Sequence, residues 1–305
     1  MKKDLLTIRD LNKEDIITLI DRGIELKIKG RKPERNLTGR ILGLMFNKAS
    51  TRTRVSFEVA MLRLGGETLF LSMADTQMSR DETIEDTARV LSRYIDVLAI
   101  RTYSQEVVEE MARWADIPVI NALTDLYHPC QVLSDLMTIK DKKGGLEDLK
   151  IAWIGDGNNV AHSWINAARV IGFNLVLACP PGYHPLPEVL GGSGANIRLV
   201  DDPRDAADGA DVINTDVWTS MGQEDQRAKR SADFKGFQVN MALVNLGKPD
   251  VLVMHCLPAH REEEITSEVL EGPSSVVFDQ AENKLYLHEA LLEGLLIKRE
   301  DMNLE

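Results

Sequence analysis

Ile41-Leu42-Gly43-Leu44-Met45-Phe46, followed by Asn47-Lys48-Ala49-Ser50-Thr51-Arg52-Thr53-Arg54, is the stretch on which the fold turns. The opening run is apolar without alternation, the pattern of a strand buried on both faces. From Thr51 the apolar residues recur at helical spacing, at Phe57, Met61 and Leu64, and Gly65-Gly66 stops the helix. A fully buried strand, a polar turn and a helix make the repeating unit of a parallel sheet.

The unit recurs on the C-terminal side. Thr68 to Leu71 reads as a strand, and Glu82 to Tyr94 as a helix with Asp81 as its N-cap. Val97 to Ile100 and Pro118 to Ile120 are strands, separated by a helix around Val107 to Trp114. A helix from Pro129 to about Asp141 follows, with proline in its first turn. Asp141-Lys142-Lys143-Gly144-Gly145 is charged and glycine-rich, a domain boundary. The alternation then restarts with strands at Ile151 to Ile154, Leu175 to Ala178, Ile197 to Val200, Val212-Ile213, Val251 to Met254 and Val276 to Phe278. A last helix runs from about Gln280 to Ile297. The expectation is an α/β protein of two doubly wound parallel-sheet domains, 1–140 with the helix at about 285–305, and 146–284.

Composition narrows the function. The 305 residues carry 36 Lys+Arg against 48 Asp+Glu, a net charge of −12. That balance, with only 5% aromatics, speaks against a nucleic-acid partner and against base-stacking platforms. Cys130, Cys179 and Cys256 form no CxxC pair, so neither a disulfide framework nor a thiolate zinc site is expected. Met1-Lys2-Lys3-Asp4 leads into a charged segment, and no apolar run reaches membrane-spanning length, so a cytoplasmic protein is expected.

In doubly wound folds ligands bind beyond the carboxyl ends of the strands. Ser50-Thr51-Arg52-Thr53-Arg54 opens a helix directly after a strand, where free N–H groups, hydroxyls and guanidinium groups suit a phosphate. No Walker glycine pattern is present. Arg101 directly follows the strand Val97 to Ile100, and His128-Pro129-Cys130-Gln131 can hold a carbonyl oxygen and an amide. Gly155-Asp156-Gly157-Asn158-Asn159 has Val160 at the third glycine position of a dinucleotide fingerprint, so its amides suit a small polar ligand better than NAD. Asp216 can pair with an ammonium, ahead of a loop through Ser220-Met221-Gly222. Cys256 follows a strand within His255-Cys256-Leu257-Pro258, and Lys284 lies on the last helix within reach of an anion.

Taken together and in this order, these motifs resemble the aspartate/ornithine carbamoyltransferase family over essentially the whole chain. Ser-Thr-Arg-Thr-Arg and His-Pro-x-Gln look like its carbamoyl-phosphate signatures. Asp216 to Gly222 and His255 to Pro258 resemble its ornithine branch. The resemblance implies that Ser50, Thr51, Arg52 and Thr53 bind the phosphate, and that Arg101, His128 and Gln131 hold the carbamoyl end. Gln77 would reach a neighbouring subunit's site. Asn159, Asp216, Ser220 and Met221 would contact ornithine. Cys256 and Leu257 would lie where the substrates meet, in a cleft between the domains. The family has arginine at the position of Lys284, which keeps the charge but not the bidentate fork. The implied catalytic residues are Cys256, Arg101 and His128. The implied reaction is carbamoyl transfer from carbamoyl phosphate to the side-chain amine of L-ornithine, giving L-citrulline, with putrescine or N-acetylornithine as the alternative amines. The resemblance further implies arginine biosynthesis, no cofactor, no metal, no membrane partner and a homotrimer or multiple of trimers. Arg52, Arg54, Arg101, His128 and Lys284 are expected to form a local basic pocket inside an acidic protein.

Overall fold

The computed structural model describes residues 3–30, 35–72, 82–192, 194–220, 222 and 224–302. Helix α1 (Lys13–Lys29) precedes β1 (Ile41–Phe46), α2 (Arg52–Arg63), β2 (Glu67–Ser72), α3 (Ile84–Leu91), β3 (Val97–Arg101), α4 (Gln105–Trp114), β4 (Val119–Leu123) and α5 (Pro129–Lys143). Then come β5 (Lys150–Ile154), α6 (Asn159–Ile171), β6 (Asn174–Ala178), α7 (Pro187–Leu190), β7 (Ile197–Val200), α8 (Pro203–Ala207) and β8 (Val212–Thr215). The chain ends with α9 (Arg227–Asp233), α10 (Met241–Val244), β9 (Leu252–His255), α11 (Ser267–Leu270) and α12 (Val277–Met302). It divides into two compact units, Met1–Met137 with Glu282–Glu305, and Thr138–Ala281.

Each unit holds one parallel sheet. The first has order β2-β1-β3-β4 and the second β7-β6-β5-β8-β9. The α/β alternation of the sequence is thus two doubly wound sheets. The inner strands are unbroken apolar runs because helices cover both faces: β3 is buried at every residue, and β1 at all but Ile41. In the first unit Met45, Leu98, Ile100 and Val119 pack against Val108 and Met111 of α4. In the second, Ile154, Val176, Ile213 and Val253 pack against Phe234, Val269 and Val277. No helix among the described residues is long and apolar enough to cross a membrane.

Several details differ from the sequence reading. Val276 to Phe278 is not a strand: Ser275 makes one bridge to Val253, Val276 N–H donates to Val253 O, and α12 starts at Val277. The apolar triplet is too short to resist the helix behind it. The N-cap of α3 is Thr83, whose hydroxyl accepts from Asp86 N–H, whereas Asp81 lies outside the described residues. Arg101 is the last residue of β3 rather than the first beyond it.

Candidate functional site

In the first unit the strand register gathers the site. Phe46 of β1 pairs with Arg101 of β3, and Asn47 N–H donates to Arg101 O at 2.8 Å. The Asn47–Thr51 turn therefore starts beside Arg101. The turn after β4 is pinned from below: Thr124 Oγ1 and Asn121 Nδ2 both donate to Gln105 Oε1, at 2.8 and 3.0 Å. Tyr127 N–H then donates to Thr124 Oγ1 at 3.1 Å, which sets the approach to His128.

Helix α2 opens without an acidic residue in its first turn, and its N-cap, Thr51, makes no capping bond through its side chain. Its N-terminal N–H groups therefore keep the partial positive charge that favours an anion. Arg52 is exposed there and Ser50 half-buried, while Thr53 is buried. Thr53 Oγ1 accepts from Lys284 Nζ at 3.0 Å, and Lys284 Nζ also donates to Gln131 Oε1 at 2.9 Å. Gln131 Nε2 donates in turn to Asp135 Oδ1 at 2.8 Å, which fixes which end of the amide faces the ammonium. Residues 231 and 153 positions apart are thereby joined.

Charge around this cradle differs from the sequence expectation in two places. His128 is buried, and burial first, then Lys284, Arg101 and His288, hold its imidazole well below the usual histidine range. It is neutral at pH 7, a hydrogen-bonding group rather than a cation. Arg54 turns away, its guanidinium stacked 3.7 Å over Phe70 and paired with Glu58 at 2.8 Å. The cationic groups of the cradle are Arg52, Arg101 and Lys284. Cys130 is inert, since burial pushes its thiol up to about 12. Gln77 lies outside the described residues.

In the second unit Thr215 of β8 pairs with His255 of β9, so the next residues, Asp216 and Cys256, emerge side by side. Cys256 Sγ donates to Asp216 Oδ1 at 3.1 Å, Val217 N–H to the same oxygen at 2.8 Å, and Asn158 Nδ2 to Asp216 Oδ2 at 2.8 Å. Asp216 is thus a buried, oriented carboxylate at a strand end. Asn158 also caps α6, its Oδ1 accepting from Val160 and Ala161 N–H. The residue predicted to contact ligand, Asn159, is the half-buried first residue of that helix. Gly157 is required here, because a Cβ would lie 2.2 Å from Pro185 N. Leu257 has φ +57°, a left-handed conformation uncommon for a side-chain-bearing residue. Ser220 is half-buried, and Met221 lies outside the described residues.

Arg230, Glu264 and His288 support these constellations although the sequence reading singled out none of them. Arg230 on α9 donates to Asp156 Oδ2 at 2.9 Å and to Trp218 O at 2.7 Å, tying the turn after β5 to the loop after β8. Burial raises the Asp156 carboxyl to about 6, with Arg230 opposing the rise. His255 Nδ1 accepts from Leu257 N–H at 2.9 Å, so Nε2 carries the proton and donates to buried Glu264 at 3.0 Å. In the first unit His288 stacks on Phe57 with ring centres 3.6 Å apart and meets Ser56 Oγ at 3.0 Å.

The chain as a whole is similar to known proteins. Two family models match the chain: the carbamoyl-P binding domain of aspartate/ornithine carbamoyltransferase over residues 3–141, and its Asp/Orn binding domain over residues 147–295. An ornithine carbamoyltransferase of Desulfotalea psychrophila is 54% identical over 302 residues, covering 97% of this chain and 100% of that protein. One of Bacillus subtilis is 52% identical, covering 98% and 95%. The solved ornithine carbamoyltransferase of Pyrococcus furiosus is 49% identical with a TM-score of 0.92, over 96% of each chain. That of Thermus thermophilus is 42% identical with a TM-score of 0.90, over 97% and 99%. With both family domains matched in order and relatives near half-identical end to end, the chain belongs to the aspartate/ornithine carbamoyltransferase family.

Proposed function

We propose that the chain transfers the carbamoyl group of carbamoyl phosphate to the side-chain amine of L-ornithine, giving L-citrulline and phosphate, a step of arginine biosynthesis. The observation that carries this reading is a complementary pair of constellations at strand carboxyl ends. One unit offers a buried cationic cradle, Thr53–Lys284–Gln131 with Arg101 and His128. The other offers a buried carboxylate, Asp216, bonded by Asn158 and Cys256.

The amine attacks the carbamoyl carbon, a C–N bond forms, and the C–O bond to phosphate breaks. A free alkylamine has a pKa near ~10.4, so it must first lose a proton. Asp216 and Cys256 receive that end of ornithine, while Asn159, Ser220 and Met221 hold its α-amino and carboxylate groups. Ser50, Thr51, Arg52, Thr53 and Lys284 hold the phosphate, assisted by the N–H groups that open α2. Arg101 and neutral His128 stabilise the oxyanion as it develops. Gln131 Oε1 accepts from Lys284 and keeps a second lone pair for the carbamoyl N–H. Cys256 and Leu257 complete the site where the substrates meet, and orientation of two bound reactants contributes several kcal/mol, up to ~7–11 in the best cases. Attack is direct, with no covalent enzyme intermediate.

The same reading takes the enzyme as a cytoplasmic homotrimer or multiple of trimers, with Gln77 reaching a neighbouring copy's site. An active monomer by light scattering would sink that part. Steady-state rates with L-ornithine, putrescine and N-acetylornithine test the amine. L-ornithine should be fastest by far, because putrescine lacks both α-groups; a faster rate with either rival overturns the choice.

A further inference from the structure

We propose a divalent transition-metal site formed by His260 Nδ1, Glu263 Oε2 and Glu264 Oε2, on the turn that follows β9. Their donor atoms lie within 4.8 Å of one another. The spacing i, i+3, i+4 converges because the segment turns: Glu263 N–H donates to His260 O at 3.0 Å. Gln238 pins it from outside, donating to the Glu262 and Glu263 carbonyls at 3.0 Å each. Arg227 holds Glu263 Oε1, and the other oxygen faces His260.

The pointer to a ligand is Glu264. Its side chain is 0% exposed, and Oε1 accepts from His255 Nε2 and from His260 N–H, at 3.0 and 2.6 Å. Its Oε2 has no hydrogen-bond partner among the described residues, nor has the buried His260 Nδ1. A buried carboxylate oxygen left this way is uncommon and costly. A proton on His260 does not remedy it, since Nδ1 stands 3.9 Å from Glu264 Oε2 and 4.0 Å from Glu263 Oε2, beyond hydrogen-bond length. A cation between the three atoms satisfies all of them.

One imidazole nitrogen with two carboxylate oxygens suits a first-row ion such as Zn2+ over Mg2+ or Ca2+. Bonds of ~2.0–2.2 Å require the donors to close by about an ångström, which the partly exposed His260 and Glu263 supply by moving toward the fixed Glu264. His260 and Glu263 are 37% and 29% exposed, which leaves a solvent face where water completes the coordination. The ion would also act on the substrate site. Drawing charge onto Oε2 weakens the Glu264 hold on His255, whose Nδ1 fixes Leu257 beside Cys256.

Asp216, His255 and Cys256 also bring donor atoms within 4.8 Å of one another, but they belong to the substrate site. The test therefore starts from the full chain carrying Cys256→Ser, stripped of metal, with ZnCl2 titrated by calorimetry and folding checked by circular dichroism. One Zn2+ per chain should bind. Adding His260→Ala or, separately, Glu263→Gln should weaken it at least tenfold. No Zn2+ binding by the Cys256→Ser chain, or equal binding after both further substitutions, overturns the site.

Discussion

Replacing Lys284 with methionine tests the cationic cradle most sharply. Lys284 is 5% exposed, and its ammonium reaches Thr53 Oγ1 at 3.0 Å and Gln131 Oε1 at 2.9 Å. Methionine keeps the unbranched apolar length and removes the charge and all three donors. A hydrogen bond to a charged group contributes about 1.5–3 kcal/mol. Losing it toward phosphate, with Gln131 and Thr53 no longer held, should cost about 2–4 kcal/mol of binding, or ~30- to 1,000-fold in affinity. Folding stability should move far less. Removing a buried ammonium relieves its desolvation, while orphaning Gln131 Oε1 costs about 1–3 kcal/mol, and the two oppose. The assay pairs the KM for carbamoyl phosphate and calorimetric binding of inorganic phosphate with a urea melt. Affinity within twofold of wild type would refute the reasoning: Lys284 would then take no part in holding phosphate, whatever the melt shows.

Cys256→Ser should lower kcat/KM for ornithine ~10- to 100-fold, about 1.4–2.8 kcal/mol, while sparing the KM for carbamoyl phosphate. A carbamoylated Cys256 trapped by mass spectrometry would instead make the thiol a nucleophile. For pH, His128 and His288 are both depressed well below 6.5, burial being the leading cause. Their unfolded forms take up protons below 6.5 and their folded forms resist. Their contribution is therefore present above that pH and lost as pH falls, by up to about 1.4 kcal/mol per unit for each. The stability difference between wild type and His288→Gln cancels other groups, such as Glu289 with its carboxyl pushed up to about 7. From pH 6.5 to 5.5 that difference should shift by about 1 kcal/mol in favour of the variant; a flat difference in urea melts contradicts it.

The strand–turn–helix order was legible because a run such as Ile41–Phe46 carries its environment in its own composition, and Gly65, at φ +87°, ends its helix by local chemistry. Strand-end candidates were legible for the same reason: Asp216 and Cys256 follow apolar runs, and parallel register makes them neighbours. What needs a distant partner was not. Nothing near Lys284 announces Thr53, and neutrality at His128 comes from burial by elements far along the chain. Arg54 looks like its neighbour Arg52 in the sequence, yet Phe70 and Glu58 take its guanidinium. Arg230 sits in the surface-like run Arg-Ala-Lys-Arg-Ser-Ala-Asp, and only the fold turns it onto Asp156. Val276 to Phe278 misled because three apolar residues fit a strand or a helix equally well.

The most direct test is product stoichiometry: purified chain with carbamoyl phosphate and L-ornithine, with citrulline and phosphate measured in the same samples. Equimolar citrulline and phosphate, both dependent on ornithine and both abolished by Arg52→Ala, are the predicted result. Phosphate release without citrulline, or citrulline formation undiminished in Arg52→Ala, would contradict it.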